Sequence, residues 1–147
     1  MLVDVIFPGW APFHNFAITE DVFDYIRVHD QVLALDFAFF VGGHLTRLGT
    51  RRDVEFNKKY TVQLFRAAQR ALPAAADPEV AAFNPESPYF SNIYAFVLSQ
   101  RRKGADQCVA EIFEKWACRL AGLEQVIRSH CLFAVFASSV IDFSALR

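Results

Sequence analysis

The sequence predicts an α/β protein: a βαβ unit followed by a helical extension. Three observations carry that prediction. Residues 2–7 form a continuous apolar, β-prone run closed by Pro8-Gly9, which is how a buried strand reads. Residues 37–41 form a second such run, closed by Gly42-Gly43, where glycine lets the backbone turn without a side-chain clash. Between them Val22, Ile26 and Leu33 recur at helical spacing with Phe23 beside them, while Arg27, His29 and Asp30 fall mainly on the other side, so His29 is expected to face solvent.

A strand–helix–strand crossover is almost always right-handed, with parallel strands. The carboxyl ends of both strands then share one sheet edge, where sites in such sheets gather. Asp4 and His44 fall near that edge. The stretch between, residues 10–19, is an aromatic loop holding Trp10, Phe13, His14 and Phe16. Thr19-Glu20-Asp21 offers a helix start with acids suited to the first turn.

Further along, Thr50 and Asp53 have the spacing of a capping box, with Asp in the place of the commoner Glu. The helix they open is expected to run to about Leu72. Residues 73–90 hold Pro78, Pro85 and Pro88 with little periodicity, so they are expected to connect rather than to pack. A helix is expected from Ser91 to Leu98, with a break over Gln100–Gly104. Val109, Ile112, Phe113, Trp116 and Leu120 then mark a strongly amphipathic helix, closed at Gly122. Residues 126–141 read as a last, very apolar helix. The expected organisation is therefore 1–72, a connection over 73–90, and a helical extension over 91–147.

Composition narrows the function. Hydrophobic residues make up 54% of the 147 and charged residues 21%, with sixteen Phe. Such a chain has either a large aromatic core or apolar surface that a partner covers. A formal net charge of -1 leaves no electrostatic footprint for nucleic acid. Arg101-Arg102-Lys103 reads as a solvated helix surface. Charges interrupt every apolar run before it reaches bilayer length, so no membrane association is expected. The first residues lack the basic start of a signal peptide and carry Asp4 inside the apolar stretch. Cys108, Cys118 and Cys131 are odd in number and form no CxxC pair, which predicts buried free thiols in a reducing, cytoplasmic setting.

The chemistry-bearing candidates are few. Asp4 offers two carboxylate oxygens and His44 an imidazole, a pair that can ligate a metal; the bland readings are a strand-end carboxylate and a turn-capping ring. Trp10 and Phe13 either wall a pocket or pack beneath their loop. His14 either lines that pocket or lies on the surface. Arg47 either meets an anionic substrate group or forms a surface ion pair. His130, beside Cys131, reads as a core or partner-facing residue.

Two segments, Asp4-Val-Ile-Phe-Pro-Gly-Trp-Ala-Pro-Phe13 and Val41-Gly-Gly-His-Leu-Thr-Arg-Leu-Gly-Thr50, resemble the second half of metallo-β-lactamase-fold hydrolases, in the branch with PGW-x-PF and GGH segments. The resemblance covers roughly residues 1–65, and the helical tail resembles that branch's extension more distantly. It implies part of an αββα sandwich, with Asp4 matching the metal-bridging carboxylate and His44 the last metal-binding imidazole. One or two zinc ions would be the cofactor. The HxHxDH part of the family's site would lie upstream, and His14, His29 and His130 do not match it.

The expectation that follows is the C-terminal part of a metal-dependent hydrolase, inactive by itself, which would take a small-molecule substrate only once its site is completed. The alternative is a non-catalytic half-domain that binds a partner or forms a homo-oligomer through exposed apolar surface.

Overall fold

Five helices carry the regular structure in the computed structural model, which describes residues 1–44, 47–75, 86 and 90–143. They are α1 (His14–Ile18), α2 (Val22–Ala34), α3 (Arg51–Ala75), α4 (Ile93–Trp116) and α5 (Leu123–Ser138).

Local sequence explains their starts. Asp21 caps α2, its side chain accepting from the Asp24 amide at 2.9 Å, which satisfies a donor the helix cannot. At α3 one arm of the expected capping box forms: Asp53 Oδ2 accepts from the Thr50 amide and from Thr50 Oγ1, each at 2.8 Å, while the Asp53 amide donates to the Thr50 carbonyl and not to its hydroxyl. Asn92 caps α4 through the Ala95 amide. Gly122, at φ +70, turns the chain into α5, a conformation that glycine adopts without strain.

α3, α4 and α5 pack against one another, α2 lies on α3, and α1 touches α5. Their shared core holds Trp116, Tyr60, Phe65, Leu64, Ile112 and Leu123, all essentially without solvent contact. The predicted stripe is largely buried, with Ile112 and Trp116 on α4 and Leu120 in the turn after it inside but Phe113 outside; α4 ends at Trp116, short of the expected close at Gly122. α4 runs unbroken through Gly104, contrary to the expected interruption. There a Cβ would lie 3.2 Å from Ala75 Cβ and 3.4 Å from Val135, so glycine serves close helix approach. Cys108 and Cys131, expected as free thiols, form a disulfide joining α4 to α5, with Cα atoms 5.8 Å apart; Cys118 is free and exposed. The expected connection over 73–90 begins inside α3, which includes Pro73; its residues 76–85 and 87–89 lie outside the described residues.

The α/β expectation is overturned: the described residues contain no β-strand, hence no βαβ unit and no αββα half-sandwich. The two predicted strands do lie side by side. Leu2 donates to the Val41 carbonyl at 2.8 Å, yet no ladder follows. Asp4 sits at φ +60 within a turn, which breaks extension. Phe7, where the first strand would continue, exchanges both backbone groups with a side chain: its N–H donates to Asn57 Oδ1 at 3.3 Å and its carbonyl accepts from Asn57 Nδ2 at 3.1 Å. Phe40 pairs only with Gly49, at 2.9 Å in both directions. A buried residue needs its backbone groups satisfied, and a side chain can do this as well as a strand. Both apolar runs instead feed a small second core of Ile6, Val32, Phe40 and Val54.

α1 is a single left-handed turn, with Asn15, Phe16 and Ala17 at φ 50, 53 and 56. Side-chain residues there cost roughly 1 kcal/mol or more apiece. The turn drives Phe16 into the main core, stacked 4.4 Å from the His130 ring. The Asn15 amide donates to Ser129 Oγ at 3.1 Å.

Candidate functional site

Asp4 and His44 meet. His44 Nε2 lies 2.8 Å from Asp4 Oδ1, with both side chains about half exposed. Three backbone devices bring them together. The turn at Asp4 lifts its carboxylate clear of the second core. Gly43, at φ +95, lies flat against Val3, where a Cβ would stand 3.0 Å from Val3 Cγ1. The Phe40–Gly49 pair pinches the loop that carries His44, and Gly49 lies so close beneath Phe40 that a Cβ would come within 2.1 Å of the ring. Phe13 completes the group, its ring 5.3 Å from that of His44 and 4.8 Å from that of Phe7.

This arrangement orients an imidazole: its Nε2–H donates to the Asp4 carboxylate. It does not build a metal centre. Zinc takes three protein ligands even at an open catalytic site. Among the described residues no group of three or more His, Cys, Asp or Glu side chains converges to hold a metal ion. His14 is exposed at the start of α1 and stands outside the pair. Trp10 packs over Gly122 instead, 3.0 Å from where a Cβ would be.

Arg47 faces a carboxylate of its own chain. Its Nη1 and Nη2 reach Asp53 Oδ2 and Oδ1 at 3.0 and 2.5 Å, the two-pronged geometry that suits guanidinium to carboxylate. Burial alone would raise the Asp53 carboxyl; the bonds from Arg47 and Thr50 outweigh it and hold the group down at about 2. Arg47, Thr50 and Asp53, with Arg52, Phe56 and Arg119, line a groove of about 370 Å³. From the sequence, Arg47 is the one candidate site residue among these, and Thr50 and Asp53 read as a helix start. Arg119 arrives through a non-local contact: Ala121 donates to the Gly9 carbonyl and Ala11 to the Ala121 carbonyl, each at 3.0 Å.

A larger opening lies elsewhere. A groove of about 560 Å³ runs between Met1, Leu35, Phe37, Phe39, Val41 and Leu48, with Asp36 as the one charged side chain among its described lining residues. Its rim is apolar and open to water: Leu35 is 61%, Phe39 64% and Leu48 53% exposed.

Two histidines are wholly buried. His29, expected on the solvent face of α2, lies inside, its Nδ1–H donating to the Tyr25 carbonyl at 2.8 Å. Burial pushes it below the ordinary imidazole value, against that bond. His130 accepts from Tyr60 Oη at Nδ1 (2.7 Å) and donates from Nε2 to the Phe13 carbonyl at 2.8 Å. Burial holds it at about 4, against the backbone bond. Both rings are structural ties, and His130 holds the Phe13 loop on the helices.

The chain matches no family model, no curated protein and no solved structure. The resemblance to metallo-β-lactamase-fold hydrolases is thereby corrected: short local motifs supported it, while no family model matches and the described residues form neither the sheets nor a metal-binding group of that fold. Among the described residues no helix is long and apolar enough to cross a membrane.

Proposed function

We propose that this chain is a non-catalytic helical module that pairs with a second copy of itself through the groove between Met1 and Phe39. The observation that carries this reading is the run of large, exposed apolar side chains along the groove, Leu35, Phe39, Val41 and Leu48. Contiguous apolar surface of this kind marks an interaction site when polar residues are absent from it. Asp36 is the one charged side chain among the groove's described lining residues, so a strongly charged partner finds little to pair with. A two-fold axis, by contrast, lays the same patch on itself and buries apolar against apolar.

Sedimentation equilibrium on the full chain tests the reading. The wild-type protein is expected to be a dimer at micromolar concentration. Phe39→Glu is expected to run as a monomer with an unchanged helical circular dichroism spectrum, because Phe39 lies outside both cores. A wild-type monomer across that range overturns the proposal, as does a dimer that Phe39→Glu leaves intact.

A further inference from the structure

The groove at Arg47, Arg52 and Arg119 is unlike the rest of the molecule. Three guanidinium groups from three separate segments face one space of about 370 Å³, and Asp53 is the sole acid among its lining residues. Three positive charges less one negative leave the groove at +2, in a chain whose net charge is -1. Like charges are not gathered in one place without cost unless a counter-charge visits.

The arginines also differ in what occupies them. Arg47 is spoken for, since it neutralises Asp53 through both terminal nitrogens. Arg52 and Arg119 have no carboxylate partner among the described residues. Arg119 is nevertheless held in place: its guanidinium lies 6.0 Å from the centre of the Trp116 ring, and its amide donates to the Trp116 carbonyl at 2.8 Å. The Gly9–Ala121 backbone pairing fixes that segment against the loop bearing Gly9. Arg52 lies in the first turn of α3, whose positive end adds to the field. One wall is not polar. Phe56 borders the space, braced edge-on against Trp116 with centroids 4.9 Å apart.

We infer that Arg52 and Arg119 bind the phosphate of a small organic phosphomonoester, with Phe56 against its apolar part. Two planar forks present donors in pairs, which matches the oxygens of a phosphate dianion better than a halide or a neutral group. The neutralised Arg47–Asp53 pair forms the back of the site and keeps Asp53 from repelling the ligand. This groove shares no lining residue with the proposed self-association groove, so either proposal can fail without the other.

Isothermal titration of the full chain with phenyl phosphate and with inorganic phosphate, at fixed ionic strength, tests the inference. Phenyl phosphate is expected to saturate in the micromolar to millimolar range and to bind several-fold more tightly than inorganic phosphate. In the Arg52→Ala/Arg119→Ala double variant the affinity is expected to drop at least tenfold, with Tm within a degree or two of wild type because both side chains are exposed. Phe56→Ala is expected to erase the preference for the phenyl ester. Absence of saturable binding by either ligand overturns the inference, as does affinity that the double variant retains. Equal affinity for the two ligands overturns the organic phosphate and leaves the groove to the inorganic ion.

Discussion

The helices after Thr50 and the segment before it both carry many apolar side chains but place them differently. α3, α4 and α5 turn theirs inward onto a core where Trp116, Phe65 and Leu123 are at most 1% exposed. The first 49 residues bury Ile6, Phe7 and Phe40 but leave Leu35, Phe39, Val41 and Leu48 facing water. The difference lies in the partner surface. A 25-residue amphipathic helix and its two neighbours offer each other continuous faces, whereas short apolar runs without a ladder have one side left over. The N-terminal segment is held to the helices by polar ties: Asn57 to Phe7, Tyr25 to Val5, His130 to Phe13. Within the N-terminal segment, side chains that hold the fold together (Phe16, Tyr25 and Ile26 in the shared core) are thus separated from those that face water (Leu35, Phe39, Val41 and Leu48).

The largest test of the contrast between the two regions is a pair of truncations. Trp116→Ala removes a fully buried indole and leaves Gln63 Oε1 without its 3.0 Å donor. It is expected to cost about 3–5 kcal/mol in urea unfolding, the range for large aromatic deletions in a packed core. Phe39→Ala, measured on the monomer, is expected to change stability by less than about 0.5 kcal/mol. Comparable losses from the two substitutions would mean that Phe39 is part of the core.

Next in size is a pH effect that belongs to the ties. His130 is neutral in the fold, with its value depressed from 6.5 to about 4. Between those values the unfolded chain holds more protons, so stability falls as pH drops. The contribution is complete above 6.5 and gone below about 4. Its size is on the order of 3 kcal/mol, and His29, also lowered by burial, acts in the same sense. Urea midpoints followed across this window are expected to decline in the wild type and to flatten in His130→Gln. An unchanged slope in that variant would place the titration elsewhere.

What the sequence discloses about the structure divides along the same line. The caps at Asp21 and Thr50/Asp53 are legible because cap and helix are neighbours in the chain. So is the Ile112–Trp116–Leu120 stripe, whose period is local. The two strands are misread because an apolar run of five or six residues does not say what will satisfy its backbone; here that group is Asn57, fifty residues from Phe7. His29 is misplaced because a face is defined only once α2 has packed on α3. The sequence puts Asp4 and His44 near one sheet edge; no such edge exists among the described residues, and a turn and a glycine pair bring the two side chains together. Arg119 escaped notice because only the Gly9–Ala121 contact brings it to Arg47.

Asn57 offers the smallest and most local of these tests. It is wholly buried and does for Phe7 what a neighbouring strand would do. Asn57→Ala strips the buried Phe7 N–H of its partner and leaves the Phe7 carbonyl with the Trp10 amide alone, at 3.1 Å. Such a loss costs roughly 1–3 kcal/mol if the group stays buried, but an N-terminal segment can pull Phe7 away and rehydrate it. The expected global loss is therefore only about 1 kcal/mol, with hydrogen exchange at the Phe7 amide sped up far more than exchange in α3 to α5. Uniform acceleration across the whole chain would show instead that the first residues and the helices unfold as one unit, and that the division between them is one of surface but not of stability.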